Sequence, residues 1–147
     1  MSTAPRRRRG PPLLALAVGA ALLLTGCGKP AERLAPVESQ VRYQGKPLTR
    51  GVVVFYPDRE KGNTSPHEPR GTIEADGRYK ATTHPREGAA PGPYRVAVIA
   101  TESNDPKNPY ALPRWLIPER FGQPDTSGLR LEVRPDAPPG AFDLDLK

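Results

Sequence analysis

Proline and glycine punctuate this chain from end to end: 20 Pro and 14 Gly make up nearly a quarter of 147 residues. That density breaks long helices and favours short strands joined by turns. The length suits one domain, since domains run on the order of 100–200 residues. A single Cys excludes an internal disulfide and any Cys-clustered zinc or iron–sulfur site. Two His, His67 and His84, leave little for a His-based metal site or a Ser-His-Asp triad. The chain carries no catalytic motif, and no cofactor is expected.

The formal charge of +6 has to be divided before it means anything. Arg6 to Arg9 supply four positives, and no acid precedes Glu32. Without residues 1–26, 18 positives face 16 negatives. A nucleic-acid partner needs a basic face on the mature domain, and the residual charge is spread too evenly to make one.

The basic start is followed by an uncharged apolar run over residues 12–24. Its 13 residues are too few for a bilayer core, which takes about 20. A basic start and a short apolar run ending at small residues describe a secretory signal peptide over 1–26. Leu24, Thr25, Gly26 and Cys27 then resemble the lipobox of bacterial lipoproteins. That resemblance implies signal-peptidase recognition through Leu24, Thr25 and Gly26, and cleavage before Cys27. It also implies diacylglycerol on the Cys27 sulfur and a palmitate-type chain on the new amine. Stable anchoring takes two membrane signals rather than one acyl chain, and such a lipid meets that condition. The expected location is the cell envelope, on the outer membrane or the periplasm-facing inner membrane. Gly28 rather than Asp after the Cys leans toward the outer membrane. The Arg run invites a twin-arginine export route, but Gly10-Pro11-Pro12 follows where bulky apolar residues belong, so the general route is favoured. Residues 27–36 read as the lipidated Cys and an extended tether without periodicity.

From residue 37 to 147 the chain reads as seven short strands. Val37, Val41 and Tyr43 alternate with Glu38, Gln40 and Arg42, the period-two pattern of a half-buried strand. Gly51 to Tyr56 is β-branched and aromatic, and Pro57 ends it. Thr72–Glu74 and Arg78–Ala81 flank Ala75-Asp76-Gly77. A three-residue loop over 75–77, with Gly77 left-handed, pairs Ile73 with Tyr79 and Gly71 with Ala81, which puts the apolar groups on one face. Tyr94, Val96 and Val98 form a further strand, as do Leu129, Leu131 and Val133, and Phe142, Leu144 and Leu146. Residues 101–128 are the longest stretch without a clear strand, and no helix of two full turns is expected after residue 36. The pattern predicts an all-β sandwich, Ig-like in its strand count.

Gln44-Gly45-Lys46-Pro47-Leu48, Gly51-Val52-Val53-Val54-Phe55, Asp76-Gly77-Arg78-Tyr79 and Pro91-Gly92-Pro93-Tyr94-Arg95-Val96 resemble, in order and spacing, a carboxypeptidase regulatory-like domain. The tail Ile117-Pro118-Glu119-Arg120-Phe121, Thr126-Ser127-Gly128-Leu129 and Phe142-Asp143-Leu144 is similar to that of small bacterial lipoproteins with this one domain. Thr49-Arg50 departs from the pattern, where a small residue or Pro is commoner, and puts Arg50 in an exposed turn. The resemblance implies a seven-stranded transthyretin-like sandwich, mostly non-enzymatic, used as a folding, spacer or adhesive unit. A transthyretin-like hydrolase is a distant alternative: it needs a His/Arg site and a C-terminal Ser-containing motif, and Asp143 to Lys147 lacks that motif.

Four sets of residues are candidates for chemistry. His67 and His84 with Glu68 and Glu87 are metal-ligand types, more simply read as solvated loop residues. Asp143 and Asp145 share a strand face as paired carboxylates do, or form a solvated outer face. Asn104, Asp105, Asn108 and Asp125 are calcium-type oxygen donors, though in no EF-hand spacing, and Asn-Asp-Pro is ordinary turn chemistry. Tyr110, Arg114 and Trp115 lie in the long 101–121 loop, where binding groups tend to sit on a rigid scaffold. Two readings of that loop stay open: a platform for an envelope glycan or peptide, or a cap in which Trp115, Leu116 and Ile117 close the end of the sandwich. An exposed Trp115 beside Tyr110 favours the platform. The leading functional expectation is a non-enzymatic lipid-anchored module, partnered by membrane lipid through Cys27 and meeting an envelope protein or glycan.

Overall fold

In the computed structural model the described residues are Met1, 31–102, 107–108 and 110–147. Ten strands are described: β1 (Glu38–Tyr43), β2 (Lys46–Pro47), β3 (Gly51–Pro57), β4 (Arg70–Ile73), β5 (Arg78–Lys80), β6 (Thr82–Thr83), β7 (Arg86–Glu87), β8 (Gly92–Ile99), β9 (Leu129–Val133) and β10 (Leu144–Leu146). The expected count of seven is therefore corrected. Seven of these segments fall where alternation placed strands, and β2, β6 and β7 are two-residue strands too short to show a period. The helices described are two 3₁₀ turns, Arg59–Lys61 and Glu119–Gly122, and none is long and apolar enough to cross a membrane.

The strands form two sheets. One runs β7-β6-β4-β3-β8-β9, and the other is built around β1, with β10 on one side and β2 and β5 also paired to it. β3 and β8 make the longest ladder, from Val52 opposite Ile99 to Pro57 opposite Tyr94. Tyr94, Val96 and Val98 are buried at 1% exposure or less, as their alternation requires. Gln44 and Gly45 turn β1 into β2 with φ of 51° and 78°, the paired positive values of a two-residue hairpin turn.

The 75–77 loop has the expected register. Glu74 N–H donates to Arg78 O at 2.8 Å and Gly77 N–H to Glu74 O at 2.9 Å, with Gly77 at φ 85°. Arg70 lies opposite Thr82, which continues the same register. Between those points β5 leaves its neighbour and pairs with β1, Tyr79 opposite Ser39. The hairpin thus reaches from one sheet to the other, and Ile73 and Tyr79 both enter the core.

β10 runs parallel to β1, Val41 opposite Leu144 and Tyr43 opposite Leu146. This brings the end of the chain beside the start of the domain and buries Leu144 and Leu146. The core joins the two sheets through Val41, Val53, Phe55, Tyr79, Tyr94 and Val133.

Candidate functional site

Cys27, with Leu24, Thr25 and Gly26, lies outside the described residues. The segment after it is less free than its composition suggests. Ala35 is locked to Ala89 by two hydrogen bonds, Ala35 N–H to Ala89 O at 2.8 Å and Ala89 N–H to Ala35 O at 3.0 Å. Arg86 Nη2 donates to Glu32 O at 2.9 Å. Residues 32–36, expected in the tether, are docked on the domain, and Ala35 and Val37 are core residues.

The 101–121 loop is anchored at its base. Leu116 N–H donates to Ala100 O and Glu102 N–H to Arg114 O, so that Thr101 and Trp115 form a bridge. Trp115 is half-buried, and a Cβ added at Gly122 would come within 2.5 Å of its indole. The ring therefore lies against the 119–122 turn, with Leu116 half-buried and Ile117 buried beside it. That packing favours the cap over the platform. Tyr110 and Leu112 stand out in solvent, 93% and 91% exposed. Arg114 is exposed with Glu102 at 3.8 Å. The aromatic contacts described are Phe55 with Tyr79 and Phe55 with Tyr94, so Tyr110 and Trp115 do not form a stacked pair.

His67 and His84 are exposed, and among the described residues no three of His, Cys, Asp and Glu gather as a metal site. Glu68 instead pairs with Arg70 at 3.7 Å. Asn104 and Asp105 lie outside the described residues, while Asp125 is bound by Arg95 at 2.6 Å and Asn108 holds the Tyr110 N–H.

Asp143 is the acid whose surroundings the alternation pattern misses. Its Oδ1 accepts from Ser39 Oγ at 2.5 Å and from Gln40 N–H at 3.2 Å. Its Oδ2 lies 3.5 Å from Arg42 Nη1, which also lies 3.6 Å from Asp145. The carboxylate thus takes over the Gln40 N–H just before β10 begins to pair with β1. One residue earlier, Tyr79 Oη–H donates to Phe142 O at 2.7 Å. Burial pushes the Tyr79 hydroxyl well above the usual phenol range, and the charge on Asp143 pushes the same way. An open groove of about 430 Å³ beside these groups is lined by Glu38, Ser39, Gln40, Arg78, Pro139, Gly140 and Asp143. Asp143 and Asp145 are held by a shared arginine, Arg42.

The Ser39 hydroxyl, followed by the Gln40 amide and the Arg42 charge, holds the Asp143 carboxyl below the usual aspartate range, against the opposing effect of partial burial. A carboxyl depressed on folding contributes stability that is present above its unfolded value, about 3.9, and is lost as pH falls through the folded one. The stability difference between wild type and Asp143→Asn is therefore expected to be largest at neutral pH and to shrink below about pH 4. Urea unfolding across that range checks it; a pH-independent difference would contradict it.

Comparison with known proteins returns no match: no family model, no curated protein and no solved structure matches this chain.

Proposed function

We propose that the chain is a lipid-anchored protein of the bacterial cell envelope, a non-enzymatic structural or interaction module. The observation that carries this reading is Leu24-Thr25-Gly26-Cys27, placed directly after the short apolar run and containing the chain's single Cys. The two-sheet all-β domain supports the finer reading, a transthyretin-like sandwich of the carboxypeptidase regulatory-like kind. In this account the lipid fixes location and the domain is presented from its docked start at residues 32–36. Loops and sheet edges then meet a partner. Cys27→Ser is expected to abolish incorporation of labelled palmitate and to leave the uncleaved precursor, while wild type is labelled and processed. Equal labelling of both, or labelling of neither, would contradict the proposal.

A second reading is favoured by one observation. Among the described residues other than Met1, the exposed large apolar side chains are Ile99, Tyr110 and Leu112, all in the 101–121 loop or just before it in sequence. Clustered exposed apolar groups mark interaction sites, and Tyr and Arg are enriched where binding energy concentrates. Tyr110 and Leu112 with Arg114 would then be the binding group for an envelope glycan or peptide, Trp115 serving as its fixed base. Loss of binding in Tyr110→Ala, with stability unchanged, is the test.

A further inference from the structure

The place where residues 32–36 dock decides which end of the domain lies nearest Cys27. Ala35 is hydrogen-bonded to Ala89, three residues before β8 begins at Gly92. Arg86 Nη2 holds Glu32 O, and one oxygen of the Glu32 carboxylate is buried. The 101–121 loop leaves from the other end of β8, where Leu116 N–H donates to Ala100 O just past Ile99. The docked segment and that loop therefore lie at opposite ends of one strand. β8 has eight residues and is about 23 Å long.

Only Gly28 to Ala31 separate Cys27 from the docked Glu32. Even drawn out fully, a chain from residue 27 to residue 32 spans at most about 18 Å. That is shorter than β8 alone. A domain standing on its 101–121 end would lift residue 32 above the membrane by at least the length of β8, beyond the reach of an anchor at Cys27. The charges at the docked end suit a phosphate-bearing surface. Within residues 28–36 and 82–90 the positives are Lys29, Arg33 and Arg86, and the acids are Glu32 and Glu87. Arg33 and Arg86 are exposed, whereas Glu32 is partly buried. Lys and Arg next to a membrane surface are drawn to anionic headgroups.

We propose that the end of the domain formed by residues 32–36 and the β6–β7 hairpin faces phosphate-bearing lipid headgroups, so that the 101–121 loop, with Tyr110 and Leu112, is carried at the end away from the membrane. This inference rests on lipid at Cys27. It gives the docked segment a role in orientation rather than reach. By fixing Glu32 and Ala35, the domain shortens its own link and selects the end it turns outward. A partner approaching from beyond the membrane then meets the 101–121 end first.

The test uses the mature protein in vesicles of phosphatidylcholine and phosphatidylglycerol, some of the lipids carrying a nitroxide on the headgroup. The chain has a single Cys, whose sulfur the lipid occupies, so an introduced Cys alone takes a thiol-reactive fluorophore. One label is placed at Glu87→Cys, beside the docked segment, and one at Leu112→Cys, in the loop; both side chains are exposed. Quenching by the headgroup nitroxide is expected to be several-fold stronger at position 87 than at position 112. An insertion of about 20 Gly/Ser residues after Pro30 leaves the domain untouched and spans on the order of 25 Å as a flexible coil. It is expected to bring the two positions toward equal quenching with the unfolding midpoint unchanged. Equal quenching without the insertion, stronger quenching at position 112, or a difference undiminished by the insertion would overturn the orientation in protein that floats with the vesicles. Protein that carries no lipid and stays out of the vesicle fraction would overturn the anchoring itself, and the orientation with it.

Discussion

Phe55→Ala is expected to destabilise the domain by about 3–5 kcal/mol, the range for removing a buried aromatic ring from a core. Phe55 is fully buried on β3. Its ring meets Tyr94 edge-on at 5.8 Å and lies 6.2 Å from Tyr79. Tyr94 belongs to the neighbouring strand of the same sheet, but Tyr79 belongs to β5, which pairs with β1. The ring is therefore a joint between the sheets, and Tyr79 passes the joint on to Phe142 O through its hydroxyl. A cavity here cannot be closed by a simple shift, because both flanking tyrosines are fixed by hydrogen bonds, Tyr94 to Ala90 O at 2.9 Å. Phe55→Leu keeps most of the volume and is expected to cost under about 1.5 kcal/mol beyond the lost ring contacts. Urea unfolding of both variants checks the pair. A loss below about 1 kcal/mol for Phe55→Ala would show that Phe55 does not join the sheets.

Gly88→Ala is expected to release the start of the domain. Gly88 has φ of 98°, and a Cβ there would meet Ala35 O at 2.4 Å and Leu34 Cβ at 3.3 Å. Two penalties combine. A non-glycine residue in this backbone region costs of order 1–3 kcal/mol, and the clash is with backbone, so Ala35 has to move off Ala89. Losing both hydrogen bonds of that bridge brings the total to about 2–4 kcal/mol. Hydrogen exchange at the Ala35 and Ala89 amides, together with a stability measurement, separates this from general damage. The account predicts fast exchange at both amides. Retained protection at Ala35 with unchanged stability would contradict it.

Local patterns and distant partners were not equally legible. The 75–77 loop was readable to the residue because Gly77 supplies the positive φ and only one register puts Ile73 and Tyr79 on the same face. Nothing local says that β5 then crosses to β1, since Tyr79 alternates equally well beside either neighbour. The parallel pairing of β1 with β10 joins residues about a hundred positions apart, and no turn chemistry signals it. Asp143 shows the same limit. As one acid in an alternating strand it reads as solvated, and only the β1–β10 pairing brings Ser39, Gln40 and Arg42 to it. Residues 32–36 read as tether because they lack a period, yet a single bridge at Ala35 needs none. Trp115 was readable as either a platform or a cap; its contact with Gly122 favours the cap, leaving Tyr110 and Leu112 outside.

The central claim rests on the chemistry of one sulfur. Intact-mass spectrometry of the protein extracted from its native envelope tests it most directly. The account predicts a mass equal to residues 27–147 plus a diacylglyceryl group and an acyl chain. An unlipidated mass recovered from the soluble fraction would contradict it.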